Sequence, residues 1–404
     1  MLYLMKILNH LPKSMFKLHQ SILPISAKGS YIYTKNNKYL DLTAGIGALS
    51  TGHNHPLVIN KVKDQLNNYV HFQQQLFQSH PIQIELTGKL LNTFENKKID
   101  NILYLNSGSE ATDNAIKIAR NYTGKSNIIA MNKGFHGRTI GALSVTSSNL
   151  NCKKGISPLL SNVYFCHDFT KSSINTILDF QSAPEDTAAI IFESIQGEGG
   201  INDINEDFLK YLETICKKND ILLIADEVQC GSMRTGTFWD YERKNIKPDI
   251  VTFGKGISSG FQLAGVASNS NIMNRLPSGS LGGTYGGNAI SSAAAVASID
   301  IINTKEIQDN VNSMGNYIYN NIKNHSLIKN VNQYGLMIGI EFYDINTSSI
   351  ILNILREKGI LVLMAGNKNQ FIRLLPPLNI SKKEADIFID TMNNISKLNI
   401  EAGY

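Results

Sequence analysis

Between residues 100 and 256, short apolar runs alternate with longer stretches of helical periodicity. The runs occupy residues 102–105, 127–131, 188–192, 221–225 and 250–253, and each gives way to a polar or glycine-rich tail. Strands that run the same way need a long crossover between them, commonly a helix. The rhythm therefore predicts successive βαβ units and a doubly wound, mainly parallel sheet. Such sheets bind ligands beyond the carboxyl ends of their strands. The tails NSGSE, NKGFHGRT, ESIQGEGG, DEVQCG and GKG are thus expected on one rim.

Beyond residue 290 the pattern changes. AISSAAAVASIDII reads as a long helix and GLMIGIEFYD as a strand. A further helix runs to Glu357, and ILVLMAG and QFIRLL read as strands. The expected architecture is α/β, with a large domain at 46–290, a smaller α+β domain at 291–404, and a segment, 1–45, packing with the small domain. A chain of 404 residues has room for two or three such units.

The net charge of +5 is spread over scattered lysines, which argues against nucleic acid as a partner. Cys152, Cys166, Cys216 and Cys230 form no CxxC pair, pointing to reduced thiols, no structural metal and a cytoplasmic location. The opening MLYLMKILNHLPKSMFKLHQ breaks its apolar residues with Lys, Asn, His and Pro, so it fits neither a signal peptide nor a membrane span. Only seven of the cations are arginine: Arg120, Arg138, Arg234, Arg243, Arg275, Arg356 and Arg373. In a chain that prefers lysine, each marks a place worth questioning.

Two of the rim tails carry complementary chemistry. ILLIADEVQ delivers Asp226 and DIVTFGKG delivers Lys255. A lysine directly after an apolar strand and between two glycines lies where desolvation can lower its pKa for imine chemistry; the plain alternative is a lysine in a tight turn. Asp226 could equally cap a helix. Together they match what pyridoxal 5'-phosphate needs: an amine to bond and a carboxylate at the ring nitrogen. A phosphate cradle is available in LYLNSGSEATDNAIKIAR, where Gly108 and Ser109 open a helix with free amides, although Ser107 and Glu110 also read as a capping box without a ligand. Gly124-Lys125-Ser126 fails as a nucleotide-binding loop, because Ala119 stands where a glycine is required. His53 and His55 have metal-like spacing but no third ligand.

SGSEA, FHGRT, QGEGG, ADEVQ, RTG, FGKG, LAGV and GGTYGGN, in this order over residues 39–377, resemble the class III aminotransferases, enzymes of the fold type I pyridoxal-phosphate class. The resemblance implies that Lys255 holds the cofactor as a Schiff base and then carries the proton, while Asp226 pairs with the ring nitrogen. It implies that Gln229 contacts the phenol oxygen, Phe135 stacks on the ring, and Gly108 and Ser109 hold the phosphate. Thr284 would reach the phosphate of a neighbouring subunit, making the enzyme a homodimer with shared sites. Arg138 and Arg373 would bind substrate carboxylates, with Glu198 masking Arg373 and Glu193 supporting the site. Ile46 and residues 73–77 fall where this family sets specificity.

The implied reaction moves an amino group from an ω-amino acid such as 4-aminobutyrate, or from a basic amino acid, to 2-oxoglutarate. Acetylornithine or ornithine transamination is an alternative. So are an amino-acid racemase of the same fold and a non-catalytic cofactor-binding regulator. The sequence departs from the family pattern at Ser194, Gln262 and Ala289, each in place of proline, and at Ser232-Met233 before Arg234.

Overall fold

The computed structural model describes residues 22–74 and 76–395, together with His10, Pro12, Ser14, Met15 and His19. A seven-stranded sheet forms its centre: β1 Asn101–Leu105, β2 Asn127–Met131, β3 Val163–Cys166, β4 Thr187–Phe192, β5 Leu222–Asp226, β6 Ile250–Phe253 and β7 Ala264–Ser268. Their order is β1-β7-β6-β5-β4-β2-β3, with β7 antiparallel to both neighbours and the other pairings parallel. The sheet is thus mainly parallel, as expected.

The strand sequences are continuous in apolar residues because both faces are covered. Ile129, Met131, Ile190, Phe192, Leu223 and Ala225 enter one core, while Ile128, Ala130, Ala189, Ile191, Leu222 and Ile224 enter another on the opposite face. At about 1.5–3 kcal/mol for each large buried side chain, these two layers dominate the stability of the sheet.

The five expected strands are present, with bounds shifted by one residue at most. β3 and β7 were not foreseen. β3 is a half-buried edge strand. β7, AGVAS, is built of small residues, and a Cβ on its Gly265 would collide with the Phe253 ring and the Leu103 carbonyl.

Residues 360–366, read above as one strand, are two. Ile360–Leu361 pairs with Lys38–Asp41 in a sheet formed with Ser26–Lys28 and Tyr31–Tyr33. Leu363–Ala365 pairs with Phe371–Leu374, beside Met337–Phe342 and Ile328–Tyr334. The chain changes sheets at the buried Val362. The helix Ala289–Ile302, expected to open the small domain, packs on Pro56–Leu66 and Pro81–Thr93, helices of the 46–290 stretch. No described helix is long and apolar enough to cross a membrane.

Candidate active site

The carboxyl ends of β2, β4, β5 and β6 converge on one group of side chains. Asp226 ends β5 and is 3% exposed. Its Oδ1 accepts from the Thr252 hydroxyl at 3.0 Å and the Val228 amide at 3.1 Å, and its Oδ2 lies 2.6 Å from His136 Nδ1. His136 follows β2 and is buried. Burial alone would lower its pKa, but the hydrogen bond and charge of Asp226 outweigh that and raise it. The pair is therefore a charge-assisted bond in a dry setting.

Lys255 stands two residues beyond β6, with φ at 44°. Among the described residues its Nζ has no hydrogen-bond partner. Burial lowers its pKa, against the opposing pull of Glu198 and Asp226. A less basic, unpartnered amine is what imine formation requires.

Glu193 follows β4 and accepts from the Phe135 amide at 2.8 Å and the Gly197 amide at 3.3 Å. Burial pushes its carboxyl up to about 7, with Asp226 adding to the rise and His136 opposing it. Arg373, 2% exposed in Phe371–Leu374, donates to Gln229 Oε1 and to Glu198 Oε1, both at 2.8 Å. Burial works against ionised Glu198, but Arg373 holds its pKa below the ordinary carboxylate range.

The helix α1, Gly108–Thr123, opens on the same rim. The Ser107 hydroxyl accepts from the Glu110 amide, but Glu110 reaches the Asn106 amide at 2.8 Å, so the expected box is half formed. The Gly108 and Ser109 amides have no acceptor among the described residues. Gly108 is required here: a Cβ would lie 2.7 Å from Val228 Cγ1, two residues past Asp226. The Ser109 hydroxyl accepts from the Arg138 amide at 3.1 Å, and the exposed Arg138 guanidinium lies 5.7 Å from the Phe135 ring centroid.

Lys255, Asp226, Glu193, Glu198, Gln229, Arg373, Phe135, Arg138, Gly108 and Ser109 are thus linked through shared contacts or fields. Thr284 and Ile46 are exposed. The turn holding Ile46, at φ 65°, packs on residues 255–258, and Gly283 lies near Glu110. Of residues 73–77, Gln75 lies outside the described residues, and Gln74 donates to the Tyr104 carbonyl. His53 is engaged by Asp41 at 2.8 Å. Sequence reasoning missed His136 and Thr252; the only signal for His136 was its place in a rim tail.

The family model for aminotransferase class-III matches residues 16–396. This chain is a class-III aminotransferase. An acetylornithine aminotransferase of Archaeoglobus fulgidus is 35% identical over 93% of this chain and 96% of its own length. A 5-aminovalerate aminotransferase, DavT, of Pseudomonas putida is 32% identical over 91% of each. The ornithine aminotransferase of Toxoplasma gondii superposes with a TM-score of 0.88 at 25% identity, covering 99% of this chain and 94% of that one. A second structure of that protein is described with partial occupancy of PLP at its active site.

The aminotransferase depends on pyridoxal 5'-phosphate, and its residues fit that group. A buried, hydrogen-bonded carboxylate suits a cationic ring nitrogen. The free amides of a sixteen-residue helix suit a phosphate, and the unpartnered Lys255 amine suits the aldehyde.

Proposed function

We propose that this aminotransferase takes the terminal amine of an ω-amino acid and delivers it to 2-oxoglutarate, with Lys255 and Asp226 as its catalytic pair. The observation that carries the acceptor half is Arg373 bound at 2.8 Å by both Glu198 and Gln229. An arginine fork matches a carboxylate, and an acid paired with it can cover that fork when a monocarboxylate donor is bound. Glu198 would turn away when the second carboxylate of 2-oxoglutarate arrives. Arg138 would bind the carboxylate shared by donor and acceptor.

When bound, pyridoxal 5'-phosphate supplies the electron-withdrawing ring that takes up the electron pair released as the substrate C–H bond breaks. Asp226, braced by His136, Thr252 and the Val228 amide, holds the proton on the ring nitrogen. Lys255 Nζ takes the proton from the carbon bearing the amine. Phe135 covers the ring, Gln229 meets the phenol oxygen, and Gly108 and Ser109 hold the phosphate.

The donor is read from shared chemistry. Acetylornithine and 5-aminovalerate, named for the two relatives, both place a free amine at the far end of a five-carbon chain from the carboxylate. A donor of that shape, or 4-aminobutyrate one carbon shorter, fits the reading, with Ile46 lining the donor side. The exposed Leu66, Val70, Phe72, Phe77 and Tyr285 support a homodimer in which Thr284 reaches the partner's phosphate. The free cysteines support a cytoplasmic location.

A panel of ω-amino acids, acetylornithine and ornithine, assayed with 2-oxoglutarate by glutamate release, tests the proposal. Failure of every ω-amine donor would refute it. In deuterated water, label entering one enantiomer with inversion and no loss of 2-oxoglutarate would favour a racemase.

A further inference from the structure

Arg234 is 2% exposed and sits in the loop that follows Asp226, five residues beyond Gln229. No carboxylate meets it among the described residues. Its guanidinium donates instead to two carbonyls distant in sequence, Leu336 at 3.2 Å and Pro376 at 2.5 Å, and its own carbonyl accepts the Leu336 amide at 3.0 Å. Gly236 O accepts from Gln308 Nε2 at 2.9 Å. A Cβ on Gly335 would lie 2.7 Å from the Thr235 carbonyl carbon and 2.8 Å from Arg234 O. Residues 234–236 are therefore plugged into the C-terminal part of the chain without slack.

The two carbonyls flank the strands that carry the carboxylate fork. Leu336 immediately precedes Met337–Phe342, Pro376 lies two residues beyond Phe371–Leu374, and those strands pair with Gly339 opposite Arg373. Arg234 thus ties both flanks of the strand pair carrying Arg373 to the loop bearing Asp226 and Gln229. A buried guanidinium without an anion is costly to keep. Both bonds leave Nη1, and a lysine amine would end one bond short of that nitrogen, out of reach of the two carbonyls.

We infer that Arg234 is a positioning residue that sets the place of Arg373 relative to Lys255 and Asp226, and so governs acceptance of the dicarboxylate. The inference rests on the reading of Arg373 given above. It predicts a split between the two half reactions, because the donor carboxylate is held by Arg138, which is positioned by Ser109 and Phe135 and not by the strands that Arg234 ties down. Displacement of a binding group by about an ångström can cost up to about a hundredfold.

The test is steady-state kinetics of the holoenzyme carrying Arg234→Lys, with KM measured separately for 2-oxoglutarate and for the best amino donor. The expected result is a KM for 2-oxoglutarate raised about tenfold or more, with the donor KM within about twofold of wild type. Gly335→Ala, which pushes on the same turn without removing the cation, should give the same split and decides the matter if Arg234→Lys does not fold. Equal changes in both KM values, or no change in either, would overturn the inference. Arg373→Lys is measured in parallel. If it leaves the KM for 2-oxoglutarate unmoved, the carboxylate reading falls and takes this inference with it; if only the Arg234 and Gly335 variants fail to split, the inference alone falls.

Discussion

Replacing His136 by leucine removes the donor to Asp226 Oδ2 and leaves that oxygen buried without a partner. The remaining contacts, from Thr252 and the Val228 amide, both fall on Oδ1. Breaking one side of a buried charged pair costs on the order of 3–5 kcal/mol, because the surviving charge stays desolvated. The carboxylate, held then on one oxygen alone, is also free to swing off the position from which it would hold a cationic ring nitrogen. His136→Leu should therefore lower the thermal midpoint of the enzyme and weaken its cofactor affinity together. His136→Gln, which keeps a donor but cannot titrate, should recover most of both.

The pH dependence separates this from simple misfolding. The folded pKa of His136 lies above its ordinary 6.5. Its pairing with Asp226 thus stabilises the fold fully below 6.5 and is lost as pH rises through the folded value. The midpoint of wild type relative to His136→Gln, followed by differential scanning fluorimetry, should fall across that alkaline limb. A pH-independent difference, or a His136→Leu enzyme that binds cofactor as wild type does, would refute the reasoning.

Other changes give equally direct readings. Lys255→Ala should lower turnover by about a hundredfold or more, the contribution of a positioned proton carrier, and borohydride should no longer fix the cofactor to the protein, as mass spectrometry of the peptide will show. Glu198→Gln should shift the ratio of kcat/KM values from the monocarboxylate donor toward 2-oxoglutarate by about tenfold or more, since it frees Arg373 from a charge-assisted bond of about 1.5–3 kcal/mol. Met233→Gly should destabilise the enzyme in thermal melts. It relieves roughly 1–2 kcal/mol of left-handed strain but empties a buried methionine site worth about 2–5 kcal/mol.

How much of the fold could be read from the sequence followed from burial. β2, β4, β5 and β6 announce themselves because both faces are packed and every residue is apolar or nearly so. β7 gives no such signal, since its small residues answer to a neighbouring ring and carbonyl rather than to a water boundary. Residues 360–366 look like one strand because both pieces are apolar, and nothing local says that Val362 is where the chain changes sheets. In the site, Lys255 and Asp226 were legible as polar residues ending apolar runs. His136 was not, because a histidine beside a phenylalanine reads the same whether or not a carboxylate ninety residues away meets it. Arg234 is harder still, as its acceptors lie 102 and 142 residues downstream.

The loop from Asp226 to Gly236 explains why those distant partners matter. Ser232 and Met233 both adopt left-handed backbone, at φ 57° and 67°, a conformation costing about 1–2 kcal/mol for each residue other than glycine. Such strain persists only where the surroundings over-determine the backbone. Here they do so from both ends. Asp226 is fixed by His136 and Thr252, and residues 234–236 are fixed by Leu336, Pro376 and Gln308. A loop held this way transmits position rather than absorbing it. Gln229, within that loop, binds Arg373 at 2.8 Å, so the proposed carboxylate fork is referenced to the same eleven residues that carry Asp226, the proposed ring-nitrogen acid. Loosening the Arg234 end should therefore disturb acceptor binding first, whereas loosening the His136 end reaches the fold and the cofactor as well.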